Sequence, residues 1–186
     1  MTSTPSSGAR PLRYSAAAKW LHWIIALAVI FMIPLGLTMK WLVPEGPVQD
    51  RMYSVHEATG SLVLMVMTVR LVRRLAFGAP APYAALPAFE RRGSVAAQHT
   101  LYLLLFIVPL LGWAGASAYG APISVYGLFD MPMLLGKDQD LSKQIFVWHF
   151  AGALLIAAIA TLHIGGALYH RFVKRDSVLA RMLPGG

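Results

Sequence analysis

Six histidines, His22, His56, His99, His149, His163 and His170, are the residues of this chain best suited to hold a metal. No cysteine is present, which removes disulfides, thiolate sites, iron–sulfur clusters and covalently attached haem together. Each histidine falls in or at the edge of a long apolar run. An ionisable group there is expensive and tends to be functional, although a lone one also reads as an interhelical hydrogen-bonding residue. Spacing separates the two readings. His149 and His163 are fourteen residues apart, almost four helical turns, so both project from nearly one helix face at depths about 21 Å apart. His56 opens an earlier apolar run at the level expected for His149, and His22 lies at the level expected for His163. The pairs His22/His163 and His56/His149 therefore face each other at two depths, the arrangement that bis-imidazole ligation of a flat haem needs. Zinc competes poorly, because a closed zinc site wants three or four ligands at one point. His56-Glu57 does not open an H-E-x-x-H motif either, since Gly60 occupies its fifth position.

Glycines follow the histidines at close intervals: Gly60 after His56, Gly152 after His149, Gly165 and Gly166 after His163, with Gly36 on the first run. Glycine lets a planar group approach the backbone, and equally lets two membrane helices approach each other. The nine methionines read as core packing, with a His/Met axial pair as a minor alternative.

The elements that must carry these residues follow from composition. The chain has 186 residues, 57% hydrophobic and 13% charged, with mean hydropathy +0.59. That balance is solvated by lipid, so the expected class is an all-α integral membrane protein. Four uncharged or nearly uncharged runs predict spans at about 20–39, 54–72, 95–118 and 144–170, in one up-down bundle. Pro34 and Pro109 lie inside the first and third. Arg70, in the second, is expected to snorkel. Lys40 to Arg51 and Arg73 to Arg92 read as connections, and Tyr119 to Met133 as an interfacial loop or short surface helix. Residues 1–12 form a tail, with no cleaved signal expected, and 13–184 a single domain. The formal charge of +8 does not indicate nucleic acid, because the basic residues flank the spans and form no separate basic domain. Twelve of them fall on the side of both termini and four (Lys40, Arg51, Lys137 and Lys143) on the other. Both termini are therefore expected in the cytoplasm. The four opposite cations are interleaved with acids, so that face carries no clear field for attracting an anion. Tryptophans and tyrosines near span ends read as interfacial belts or as haem neighbours.

Three stretches resemble the bacterial cytochrome b561 family, within the wider group of membrane di-haem b-type cytochromes. They are Arg13-Tyr14-Ser15-Ala16-Ala17-Ala18-Lys19-Trp20-Leu21-His22-Trp23, His56-Glu57-Ala58-Thr59-Gly60 with Val69-Arg70-Leu71-Val72-Arg73, and Trp148-His149 through Leu162-His163 to His170-Arg171-Phe172. The resemblance runs from about Arg13 to Pro184. It implies four helices and two haem b groups in a bacterial inner membrane, with His22, His56, His149 and His163 as axial ligands. It also implies electron transfer between a donor on one side and ubiquinone or another carrier. Some members resemble enzymes that oxidise superoxide outside and reduce ubiquinone. Related di-haem subunits anchor hydrogenases or formate dehydrogenases, so either a small periplasmic donor or a redox partner protein fits.

Residues beyond the ligands take their expected roles from this frame. His170 lies seven residues after His163, two turns away on nearly the same face. Quinone reduction needs protons, and histidine titrates near neutrality. His170 is thus a quinone-headgroup candidate with Tyr14, Ser15 or Lys19, or else a boundary histidine among lipid headgroups. His99 reads as structural, with a second proton or quinone role as the alternative. Gly60 and Gly152 are candidate haem-contact positions. Arg13 and Lys19 are candidates for haem propionates, against topology and lipid binding as the general reading of such cations.

Overall fold

The computed structural model describes residues 14–81 and 86–183. Arg13 and the tail 1–12 lie outside them. Four long helices carry the chain: α1 (Ala16–Trp41), α2 (Pro47–Phe77), α3 (Ala88–Tyr119) and α4 (Gln139–Tyr169). A two-stranded antiparallel hairpin, β1 (Ser124–Val125) and β2 (Phe129–Asp130), lies between α3 and α4. A π-helical turn (His170–Lys174) and a 3-10 turn (Leu179–Arg181) follow α4.

Local chemistry sets the helix ends. Ser15 caps α1 by accepting from the Ala18 amide at 3.3 Å, which satisfies one of the free donors of a helix start. Pro47 occupies the first turn of α2, where its missing N–H is no loss. Gly120, in the left-handed region at φ 90°, ends α3. Asp138 caps α4 through the Asp140 and Leu141 amides at 3.1 and 3.0 Å.

Short connections force neighbouring helices antiparallel. At one end Gln49 donates to the Met39 carbonyl at 2.8 Å across the turn 42–46. At the other, Arg70 donates to the Ala18 carbonyl at 3.0 Å and to the Tyr102 hydroxyl at 2.8 Å, joining α1, α2 and α3. Arg70 thus differs from the snorkelling expected of it, because α1 and α3 supply acceptors inside the bundle. Between these ends Ile25, Val63 and Met67 form a buried core, flanked by Val29, Tyr102 and Phe106.

α1, α3 and the run Gln139–Lys174 are long and apolar enough to cross a membrane by length and composition. Their large side chains point outward, as at Leu27, Leu103 and Leu162, which is the exposure a lipid-solvated bundle needs. The chain is a multi-pass membrane protein. α2 falls short of the same criterion because His56, Glu57, Thr59, Ser61 and Arg70 dilute it. It nevertheless lies antiparallel between α1 and α3, and its hydroxyls are satisfied locally: Thr59 donates to Val55 at 2.7 Å and Ser61 to Glu57 at 2.9 Å.

The expected spans lie within these helices, but several boundaries move. The connection expected over Lys40 to Arg51 shrinks to 42–46, since Pro47 starts α2 early. Tyr119 to Met133 forms the hairpin rather than a plain loop or a surface helix. There Val125, Ile123 and Met131 are buried against Ala116. α4 ends at Tyr169, and His170 belongs to the π turn. Met67 is 1% exposed at the centre of the core. Met67→Ala is expected to destabilise the bundle by about 2–5 kcal/mol, measurable by unfolding of the purified protein in mixed micelles.

Candidate functional site

α4 projects two histidines toward the bundle interior, and each meets one histidine from another helix. His22 of α1 and His163 of α4 lie with ring centroids 6.4 Å apart and planes at 74°. His56 of α2 and His149 of α4 lie at 6.0 Å and 75°. The first pair sits toward the end that holds both termini, the second toward the hairpin end. A metal bonded to one nitrogen of each of two facing imidazoles, at about 2 Å per bond, sets the centroids about 6 Å apart. Both pairs fit that spacing. Among the described residues no group of three or more His, Asp or Glu converges on one point.

Two glycines give these rings their room. A Cβ on Gly36 would lie 3.2 Å from His56 Cε1, and one on Gly112 would lie 3.0 Å from His149 Cε1. Gly60 faces the end of Met32 instead, and Gly152 faces Val108, so Gly152 serves the approach of α3 to α4. Gly165 and Gly166 meet nothing within 4 Å. His149 Nδ1 donates to the Val108 carbonyl at 2.9 Å, while His56 Nδ1 is buried without a partner. Phe146 packs edge-on against His149 with centroids 6.5 Å apart. On the hairpin side, Tyr126 takes a positive φ of 53° and shares a hydrogen bond with Thr59, one turn after His56, at 2.6 Å. Lys40 lies over the rings of Trp41 and Phe150, at 5.4 and 5.0 Å.

At the opposite end the chain closes on itself. Trp23 packs edge-on against His22 at 5.5 Å and donates from Nε1 to the Met182 carbonyl at 2.8 Å. His170, 9% exposed, sits between two carboxylates. Its Nδ1 donates to Asp176 at 2.6 Å, and its Nε2 lies 3.6 Å from Glu90 of α3. Lys174 pairs with Glu90 as well. The π turn makes this possible, because Arg175 in the left-handed region reverses the chain and returns Asp176 to His170.

The other candidates scatter around this end. Ser15 takes a hydrogen bond from Arg73. Tyr14 lies under the Arg181 guanidinium at 5.7 Å and lines a small cavity with Arg70, Arg73, Arg74 and Tyr102. Lys19 is 6% exposed, in the first turns of α1. His170 is not among the residues lining the Tyr14 cavity. His99 is exposed on α3. Sequence reasoning missed Gly112, Val108 and the carboxylates around His170. Gly112 lies on the helix without paired histidines. Asp176 meets His170 only because the helix gives way to the π turn between them.

The chain is similar to known proteins along nearly its whole length. The model of the family described as prokaryotic cytochrome b561 matches residues 13–185. Cytochrome b561 homolog 2 of Escherichia coli K12 is 32% identical over 176 residues, covering 93% of this chain and 92% of that protein. A protein of Yersinia pestis named probable superoxide oxidase CybB is 27% identical over 173 residues, covering 92% and 96%. Cytochrome b562 of Cereibacter sphaeroides is 28% identical over 181 residues, covering 91% and 94%.

Burial pushes the Asp176 carboxyl up, but the Val178 amide and His170 outweigh it and hold the carboxyl below the usual carboxylate range. A depressed folded value gives stability above the unfolded value that is lost as pH falls through the folded one. The segment after Lys174 should therefore stay protected from hydrogen exchange at neutral pH and open as pH drops below the ordinary carboxylate range. Asp176→Asn should open it already at neutral pH.

Proposed function

Because this chain belongs to the prokaryotic cytochrome b561 family, a family of b-type cytochromes that carry electrons across membranes, we propose that it holds two haems, one between His22 and His163 and one between His56 and His149. The observation that carries this reading is the pair of imidazole couples, each with centroids about one metal's span apart. The orphan His56 Nδ1 supports it as unmet polarity at a ring, and Gly36 and Gly112 support it because only a residue without a Cβ lets the two imidazoles sit where they do. Each haem supplies a one-electron carrier whose potential depends on its axial ligands and surroundings.

The residues of the chain then have distinct tasks. α4 sets the separation of the two carriers through the rigid spacing of His149 and His163. The apolar core of Ile25, Val63 and Met67 keeps water from the path between them. The excess of basic residues at the end of both termini puts that end in the cytoplasm of a bacterial inner membrane, and the hairpin end in the periplasm. Electrons run from a periplasmic donor to ubiquinone at the cytoplasmic end. One relative is named a probable superoxide oxidase, which makes superoxide the first donor to test. At the cytoplasmic end His170 forms a hydrogen-bonded relay with Asp176 and faces Glu90, which also pairs with Lys174. This is a suitable source for a quinone that takes up protons with its electrons.

Two sets of variants test this. His22→Ala and His163→Ala should each remove the same haem, and His56→Ala and His149→Ala the other, read as a haem-to-protein ratio falling from two to one. Loss of the same haem from His22→Ala and His149→Ala would refute the pairing. His170→Ala should keep both haems but slow superoxide-driven ubiquinone reduction by the purified protein about a hundredfold, roughly the lower end of a general acid's contribution. An unchanged rate would remove His170 from the quinone site.

A further inference from the structure

α3 supplies neither histidine pair, yet its periplasmic half fits α4 residue by residue. Ser142 donates to the Gly115 carbonyl at 3.0 Å in a buried bond. The Phe146 ring covers Gly115, where a Cβ would come within 2.9 Å of it. His149 lies over Gly112, and Val108 over Gly152, where a Cβ would meet the Val108 side chain at 2.5 Å. Each of these glycines is occupied by a side chain of the facing helix, so register and distance between the helices are fixed together. Within this zipper the Val108 carbonyl accepts from His149 Nδ1 at 2.9 Å. A carbonyl has two lone pairs and serves the helix and the imidazole at once.

We propose that α3 is the positioning element of the outer haem: the Val108 carbonyl fixes the His149 tautomer and the Gly112 recess fixes the ring, and together they tune that haem alone. The inference rests on His149 being an axial ligand. A proton held on Nδ1 leaves the Nε2 lone pair free for iron, and the bond to the carbonyl makes the ring a stronger donor. A stronger donor favours oxidised iron and lowers the midpoint potential. Among the described residues His22, His56 and His163 have no such acceptor, and His56 Nδ1 is buried unpaired. The two ligands of the outer haem are thus unequal, and only one is tied to the backbone of a helix that gives no ligand.

Gly112→Ala presses a methyl group against His149 and moves the ring off the Val108 carbonyl. Gly93→Ala on the same helix, where a Cβ would meet nothing within 4 Å, serves as control. In purified Gly112→Ala, one of the two midpoint potentials should rise while the other stays, or the haem-to-protein ratio should fall from two toward one. The low-spin ferric electron paramagnetic resonance signal of that same haem should shift, and Gly93→Ala should match the unsubstituted protein throughout. Two haems with both midpoints unmoved in Gly112→Ala, or both midpoints moving together, would overturn the proposal. Should Gly112→Ala not fold, the unsubstituted protein with isotope-labelled histidine decides by reduced-minus-oxidised infrared difference spectroscopy. A strongly hydrogen-bonded Nδ1–H on one ligand supports the proposal, and none or several overturns it. His149→Ala separates the two levels of inference. If it keeps both haems, the ligand assignment fails. If it loses one while Gly112→Ala changes nothing, only the role of α3 fails.

Discussion

Two imidazoles fourteen residues apart on one straight helix impose a geometry that the other three helices answer. α4 cannot change the distance between His149 and His163 without breaking its own backbone bonds. The partners must come to it at two depths, His22 from α1 and His56 from α2. α1 answers with the same interval, since Gly36 follows His22 by fourteen residues and leaves space at the level where His56 takes over. One helix thus presents a side chain at one depth and the lack of one at the other. The contact of α3 with α4 completes the frame by holding the rod in register against a helix that has no histidine in either pair.

Both ends of the bundle are then closed by segments that satisfy polar groups next to the histidine pairs. At the hairpin end Tyr126 adopts a backbone conformation uncommon outside glycine, held by the Thr59 hydroxyl and by the burial of Val125 and Ile123. At the other end the chain leaves α4 through a π turn, a geometry that often marks functional segments of helices. It returns Asp176 to His170, and Met182 to Trp23.

The main frame was legible in the sequence because it depends on periodicity alone. Four apolar runs and a fourteen-residue interval need no tertiary information, and the His22/His163 and His56/His149 juxtapositions follow from helix order. What stayed hidden depends on azimuth, that is, on which residue of a helix faces which neighbour. Gly152 is marked in the sequence by following His149 by one turn, but that it faces Val108 on α3 is not. Gly112 carries no sequence mark beyond lying three residues after Pro109. Arg70 was legible as a cation in a span and not as a crosslink, because its acceptors Ala18 and Tyr102 come from two other helices. His170 was read as the last residue of a span. A break in helical geometry at that residue turned it inward instead, toward Asp176 and Glu90.

The core between the histidine pairs has an electrical meaning. Ile25, Val63 and Met67, with Val29 and Phe106, form an apolar layer beside the Tyr102 ring, a thin dielectric between the two proposed carriers. In the proposed pathway an electron crosses that layer toward the cytoplasm while its compensating proton enters at the cytoplasmic end, so each turnover separates charge. The separation has the sign of the existing potential, negative inside, and so works against it. Carrying one charge across the full membrane against 100 mV takes about 2.3 kcal/mol, and crossing the layer takes a share of that. Flow from the periplasm to the quinone pool is therefore throttled by an energised membrane, and the donor must be reducing enough to overcome the voltage it helps to build.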